Sequence, residues 1–190
     1  MNRYQLIPKA ESIVEQMKRI PGVVAVGLTD IGIATDNNSN TGLIPPGSDK
    51  SISIGQYAVS DGFHDAMGLK LLAGRWFDPA RPADDMTLDF PIQKEQETAL
   101  AQRGVNVVMN QYAVKKLGFK SPQDAVGKTV RTQYFGPDNG NVNVNIIGVV
   151  GDSRFRSVRK PIDPIMFHKI RTGPGWLMVR YRGDPAAVRA

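Results

Sequence analysis

Glycine and proline punctuation limits the fold of this chain more than any other feature. With 19 glycines and 13 prolines in 190 residues, no segment runs far before meeting a turn signal. That excludes a long-helix bundle or a coiled coil and calls for many short elements. No run approaches the ~20 consecutive apolar residues that a membrane-crossing helix needs, and Met1–Tyr4 leads into no apolar stretch of the secretory-signal kind. Hydrophobic residues make up 41% and charged residues 22%, enough for a packed core. The length suits one ordinary domain or two small ones sharing an interface. With no cysteine, a disulfide scaffold, a thiolate metal site and a cysteine nucleophile are all excluded. His64 and His168 are the only histidines, so a multi-histidine metal centre is excluded as well.

Local patterns give the element order. Ile13, Met17 and Ile20 recur at helical spacing over Lys9–Arg19, with Val14 beside them, and Pro21-Gly22 stops that helix. Val23–Leu28 reads as a buried strand, and 36–40 and 45–48 as loops. Ser51–Val59 is a strand; Ser60 is expected to cap a short helix carrying Phe63, Ala66 and Met67, ended by Gly68. Leu69–Leu72 returns as a strand, closing a compact strand–helix–strand unit. Asp78–Gly104 is a long polar connection with a helical turn near Glu95–Ala101, and connections of that length are usually functional or mobile. Val105–Met109 is a strand and Asn110 caps a helix reaching Leu117. Ser121-Pro122 opens another. From Lys128 the chain turns to strands: Thr129–Tyr134 and Val142–Val150 around an Asn139-Gly140 turn, then Pro164–His168 and Trp176–Arg182. Asp184-Pro185 opens a further helix of which only a stub is present.

Charge is uneven. Residues 1–114 hold 10 basic against 13 acidic side chains (−3), and residues 115–190 hold 14 against 5 (+9), which together make the net +6. The densest basic run is Arg154-Phe155-Arg156-Ser157-Val158-Arg159-Lys160. Basic residues interleaved with an aromatic can grip single-stranded nucleic acid; equally, Phe155 and Val158 can anchor a loop whose cations face a protein partner. Gly148-Val149-Val150-Gly151-Asp152 lacks the spacing and the Gly-Lys-Ser/Thr of a phosphate-cradling loop. Its glycines suit a tight turn, with Asp152 bonding local amides. Asp84, Asp85 and Asp89 lack the glycine and closing glutamate of a calcium loop. His64 or His168 can serve as a general base, but no Gly-x-Ser-x-Gly elbow accompanies them. The residues alone therefore leave a basic nucleic-acid-binding module and a small hydrolase using His64 or His168 as alternatives.

Five blocks in order carry a resemblance: YAVSDGFHDAMGLKLLAGRWF (57–77), VNVVMNQYAVKKLGF (105–119), VGKTV (126–130), VNIIGVVGDSRFRSVRKPIDPIMF (144–167) and LMVRYRGDP (177–185). With IPGVVAVGLT (20–29) upstream, the chain resembles the MacB-like periplasmic core domain of MacB/FtsX-type ABC transporter permeases. It departs from that pattern at Gln111, where an acidic residue is common, and in the length of 78–104.

The resemblance implies an α+β fold, with one lobe of split, ferredoxin-like βαβ units over 1–126 and 170–190 and a mainly antiparallel β lobe over 127–169. It implies a periplasmic position outside the cytoplasmic membrane, no active site and no cofactor. The implied partners are a periplasmic adaptor or other envelope protein and the transporter's cytoplasmic ATPase domain or subunit, to which ATP-driven motion is coupled. No nucleic acid is implied. Arg154, Arg156, Arg159 and Lys160 are the candidate partner-facing residues. The fragment is expected to be monomeric in dilute solution, with its parent dimeric in the membrane.

Overall fold

In the computed structural model, residues 7–33, 35, 39–89, 91–156, 159–171 and 175–183 are described. They form nine strands and five α-helices: α1 (Ile7–Lys18), β1 (Val23–Thr29), β2 (Asn40–Ile44), β3 (Ile52–Val59), α2 (Phe63–Met67), β4 (Leu71–Gly74), α3 (Lys94–Arg103), β5 (Val105–Asn110), α4 (Gln111–Lys116), α5 (Pro122–Ala125), β6 (Thr129–Thr132), β7 (Val142–Val150), β8 (Ile165–Lys169) and β9 (Trp176–Tyr181). The class is α+β with a core made mainly of sheet. The segment expected from Asp184 lies outside the described residues, as do Asp36–Asn38, Ser157 and Val158.

All nine strands join one mixed sheet. Its path runs β2-β6-β7-β5-β8-β3 and returns to β2, which pairs antiparallel with both β6 and β3. Six strands therefore close into a ring. β1 and β9 extend from β3, and β4 flanks β7 beyond the end of β6. Two contacts in the ring are parallel, β3–β8 and β5–β7; β8 and β5 run antiparallel. In the ladder β5 lies between β7 and β8, two strands of 127–169, while β6 and β7 are direct neighbours.

The period-2 alternation of strand side chains separates two cores. Leu43, Ile54, Val105, Val107, Met109, Val130, Val144, Ile146 and Met166 pack together on the inward face of the ring. Tyr57, Val59, Phe63, Trp76, Phe77, Val108, Phe155, Ile165 and Phe167 form the second, largely aromatic cluster on the outward face, beneath α2.

Several local expectations change in three dimensions. Ser60 does not cap α2: its Oγ accepts from the Leu28 amide at 2.8 Å, tying β3's exit to β1. Gly68 does end α2, in the left-handed region at φ 65°. β4 leaves its sequence neighbour β3 and pairs with β7, so 51–72 is not one closed unit. Asn110 and Ser121 cap as their sequences suggest, accepting from the Ala113 and Asp124 amides at 3.0 and 3.1 Å. β2, which the sequence pattern does not reveal, is the strand that closes the ring.

Candidate functional site

The basic segment after β7 is held at several of its described residues. Asp152 accepts from the Tyr112 amide at the start of α4 (2.8 Å), a contact made 40 residues away rather than locally. Phe155 is 3% exposed and inserts among Tyr57, Phe63 and Phe167, its ring centroid 5.4, 6.3 and 5.9 Å from theirs. Arg154 Nη1 donates to the Lys160 carbonyl (2.9 Å), closing the loop on itself. At the far end Arg156 Nε lies 2.6 Å from Asp163 Oδ2. The Asp163 carbonyl accepts from Asn110 Nδ2 (2.8 Å), while Asn110 Oδ1 takes the Ile165 amide (2.9 Å). One buried asparagine thus caps α4 and holds the entry to β8.

This arrangement separates the four candidate cations. Arg154, Arg159 and Lys160 are exposed; Arg156 is half-buried, paired with Asp163. Arg156 also lines a polar groove of about 240 Å³ with Asn40, Tyr57, Lys116 and Asp163. Burial raises the Tyr57 phenol above its ordinary pKa, and the nearby Arg156 charge opposes that rise. Because Phe155 is in the core, it has no free face on which a base could stack, and the nucleic-acid alternative loses its aromatic.

The two histidines are far apart in role. His64 sits at the surface with its ring stacked on Trp76 (4.9 Å) and Nε2 3.3 Å from Asp65 Oδ1. His168 is 6% exposed on β8 and points into the ring. It lines a small, mostly apolar cavity with Gln56, Thr41, Thr132, Tyr134 and Met166. Burial lowers its pKa to about 4, keeping it neutral. Among the described residues no carboxylate borders that cavity, and His64 is not part of it. Among the described residues, no group of three or more histidine, aspartate or glutamate side chains could hold a metal ion.

The polar stretch 78–89 is pinned by its aspartates. Asp84 is fully buried and accepts from Arg75 Nη1 (2.5 Å) and Nη2 (2.9 Å), Asn106 Nδ2 (2.8 Å) and the Asp78 amide (3.0 Å). Burial alone would raise its pKa, but the donors outweigh it and hold the carboxyl at about 2. Asp85 and Asp89 both meet Arg171, at 3.1 and 3.4 Å. The sequence offered one hint of this network, Arg75 within LLAGRWF; nothing paired it with Asp84. Equally unforeseen is Lys169, whose buried side chain reaches Asp61 at 2.8 Å.

No family model and no curated protein matches the sequence. Solved structures do. The periplasmic region of MacB from Actinobacillus actinomycetemcomitans aligns over 92% of this chain and 65% of its own length, at 17% identity and a TM-score of 0.51. A domain assigned to a permease protein from Porphyromonas gingivalis aligns over 96% of this chain and 70% of its own, at 16% identity and a TM-score of 0.53. This chain therefore spans about two thirds of each domain, and no helix among its described residues is long and apolar enough to cross a membrane. Its fold is that of the MacB-type periplasmic domain.

Proposed function

We propose that this chain is an extracytoplasmic domain of an ABC transporter permease, contacting an adaptor or other envelope protein and passing on motion driven by a cytoplasmic ATPase. The observation that carries the reading is the shared fold over 92% of the chain. Three of the five sequence blocks support it as well, because they meet in one place. Tyr57, Phe63, Trp76 and Phe77 come from the first block, Val108 from the second, and Phe155 and Phe167 from the fourth; all lie in the aromatic cluster. The motif residues thus specify a scaffold, as a domain without catalysis requires.

In this reading the exposed cations Arg154, Arg159 and Lys160 face the partner, and Arg156 with Asp163 sets the angle of their loop. The parent assembles as a dimer through parts of the protein outside this chain.

Position can be tested directly, because this chain adds no cysteine of its own to a parent whose other cysteines are replaced by serine. Leu71, 43% exposed on β4, is replaced by cysteine in the full-length parent, and intact cells are treated with a membrane-impermeant maleimide. Labelling without lysis is the expected result; labelling only after lysis refutes the reading. Replacing Arg154, Arg159 and Lys160 with glutamate should leave basal ATPase activity of the reconstituted transporter unchanged and lower its stimulation by the partner about tenfold, an effect equivalent to ~1.4 kcal/mol of coupling.

A further inference from the structure

The polar groove bordered by Arg156 and Asp163 has its floor on the outward face of β3, where Ser53 and Gly55 precede Tyr57. Gly55 is not at positive φ, so the backbone does not call for a glycine there. Glycine inside a strand weakens it and often marks a site of close approach. A Cβ at this position would meet the Pro164 carbonyl at 3.2 Å and Asn40 Oδ1 at 3.7 Å. The missing side chain is therefore what keeps the floor open. At about 240 Å³ the space lies below the ~300–1,000 Å³ of a drug-sized pocket, so its occupant is small.

The groups around this space are mainly hydrogen-bond donors. Ser39 Oγ accepts from Gln56 Nε2 at 2.9 Å, which uses an oxygen lone pair and leaves the hydroxyl hydrogen to donate. Tyr57 is 4% exposed, and its ring packs against Phe155 and Phe167. Its phenol end is what borders the groove, beside the Arg156 charge. Ser53 and Lys116 are exposed and add a hydroxyl and an ammonium group. The charges do not balance. Among the described residues that line the space, Lys116 and Arg156 are cationic and Asp163 is anionic. Arg156 Nε lies 2.6 Å from Asp163 Oδ2, so those two charges offset each other. Lys116 Nζ lies 5.4 Å from the Tyr112 ring centroid, a contact that positions the ammonium without neutralising it.

We infer that this groove binds the carboxylate of a small polar molecule. Lys116 meets the charge, and the Ser39, Ser53 and Tyr57 hydroxyls donate to the carboxylate or to acceptors beside it. One uncancelled positive charge matches a monoanion, and charge-assisted hydrogen bonds to a carboxylate are among the stronger ones available. The donor-rich walls match a body rich in acceptors, which a peptide C-terminus and a sugar acid both supply.

Amide NMR shifts of the isotope-labelled 190-residue chain, titrated with N-acetylglycylglycine and with glucuronate, test this. At least one probe should saturate, with shifts concentrated at Ser39, Ser53, Gly55, Lys116 and Arg156, and the tighter probe identifies the source of the carboxylate. The uncharged amides of the two probes should bind about tenfold more weakly than the acids, and inorganic phosphate more weakly than the better acid. Lys116→Met should weaken binding about tenfold for the same reason. Lys120→Met removes another exposed charge, one that does not line the groove, and should leave the affinity within about twofold. No saturable binding of either acid, phosphate binding tighter than both, or equal losses in the two lysine variants overturns the proposal.

Discussion

Replacing Asp84 by asparagine isolates the strongest polar anchor in the fold. The carboxylate is fully buried and receives four hydrogen bonds, two of them from the Arg75 guanidinium. Asparagine keeps the size but removes the charge, and it presents an NH₂ to donors. The depressed pKa gives one measure of the loss. A carboxyl at about 2 in the fold, against an ordinary 3.8, contributes about 2 kcal/mol at neutral pH at ~1.36 kcal/mol per unit. Turning an NH₂ towards two of the four donors, one of them on Arg75, adds to this, so the total should fall at about 3–5 kcal/mol, as for broken buried pairs. The pH dependence separates the charge from the packing. Because the folded pKa lies below the unfolded one, the ionic part is complete above the unfolded value and disappears as pH falls towards 2. About half of it should be gone by roughly pH 3. Urea unfolding of the parent chain and of Asp84→Asn at pH 7, 5, 4 and 3 provides the measurement. A stability difference under about 1 kcal/mol at pH 7, or one constant between pH 5 and 3, refutes the reasoning.

Three further outcomes follow from buried groups of other kinds. His168, neutral in the fold at a pKa of about 4, binds its proton more readily when unfolded, so stability should decline as pH falls from about 6.5 towards 4. His168→Leu should flatten that part of the curve by about 3 kcal/mol, read from unfolding midpoints across pH. Phe155→Ala opens a cavity where three aromatic rings meet and should cost about 3–5 kcal/mol, seen as a lower urea midpoint with an unchanged slope. Gly27→Ala places a methyl group against the Phe63 backbone, which cannot rotate aside; a loss of more than about 1–3 kcal/mol is expected in the same assay.

Local signals and long-range placement were unequally legible in the sequence. Capping at Asn110 and Ser121 depends on a side chain reaching an amide three residues away, so its residues carry the whole interaction. The strand spans β1, β7 and β9 emerged for a similar reason, each being an apolar run between turn signals. β2 did not, because Asn40 and Gly42 interrupt its strand-favouring residues Thr41 and Ile44, and the segment is held by β3 on one side and β6 on the other. Missing that strand hides the closed ring, since β2 supplies both of its final contacts. The pairing of β4 with β7 instead of its neighbour β3 is likewise a choice among distant partners, which local pattern does not rank. Arg75 and Asp84 show the same limit at a polar site. Each is ordinary in its own segment, and only the fold brings β4, the 78–93 connection and Asn106 of β5 to a single carboxylate.

The candidate cations illustrate why a charge run alone cannot designate a surface. The sequence treats Arg154, Arg156, Arg159 and Lys160 as equivalent, and the fold divides them by where Phe155 is drawn. Once that ring enters the aromatic cluster, Arg156 follows it to Asp163 and becomes part of the loop's framework. The exposed residues are then presented on a support tied to α4 through Asp152 and to β8 through Asn110. On the reading proposed above, a force applied at Arg154, Arg159 or Lys160 would pass towards the ring and the aromatic core through these hydrogen bonds. Disrupting Asn110 should accordingly impair partner-stimulated ATPase activity even though Asn110 is itself 1% exposed and cannot meet the partner. Asn110→Ala removes the acceptor for the Ala113 and Ile165 amides together with the donor to Asp163. If it lowers stimulation at saturating partner while leaving partner affinity within about twofold, the loop acts as a coupling element. If stimulation is intact in a variant that still folds, coupling runs elsewhere and the basic loop is at most a contact surface.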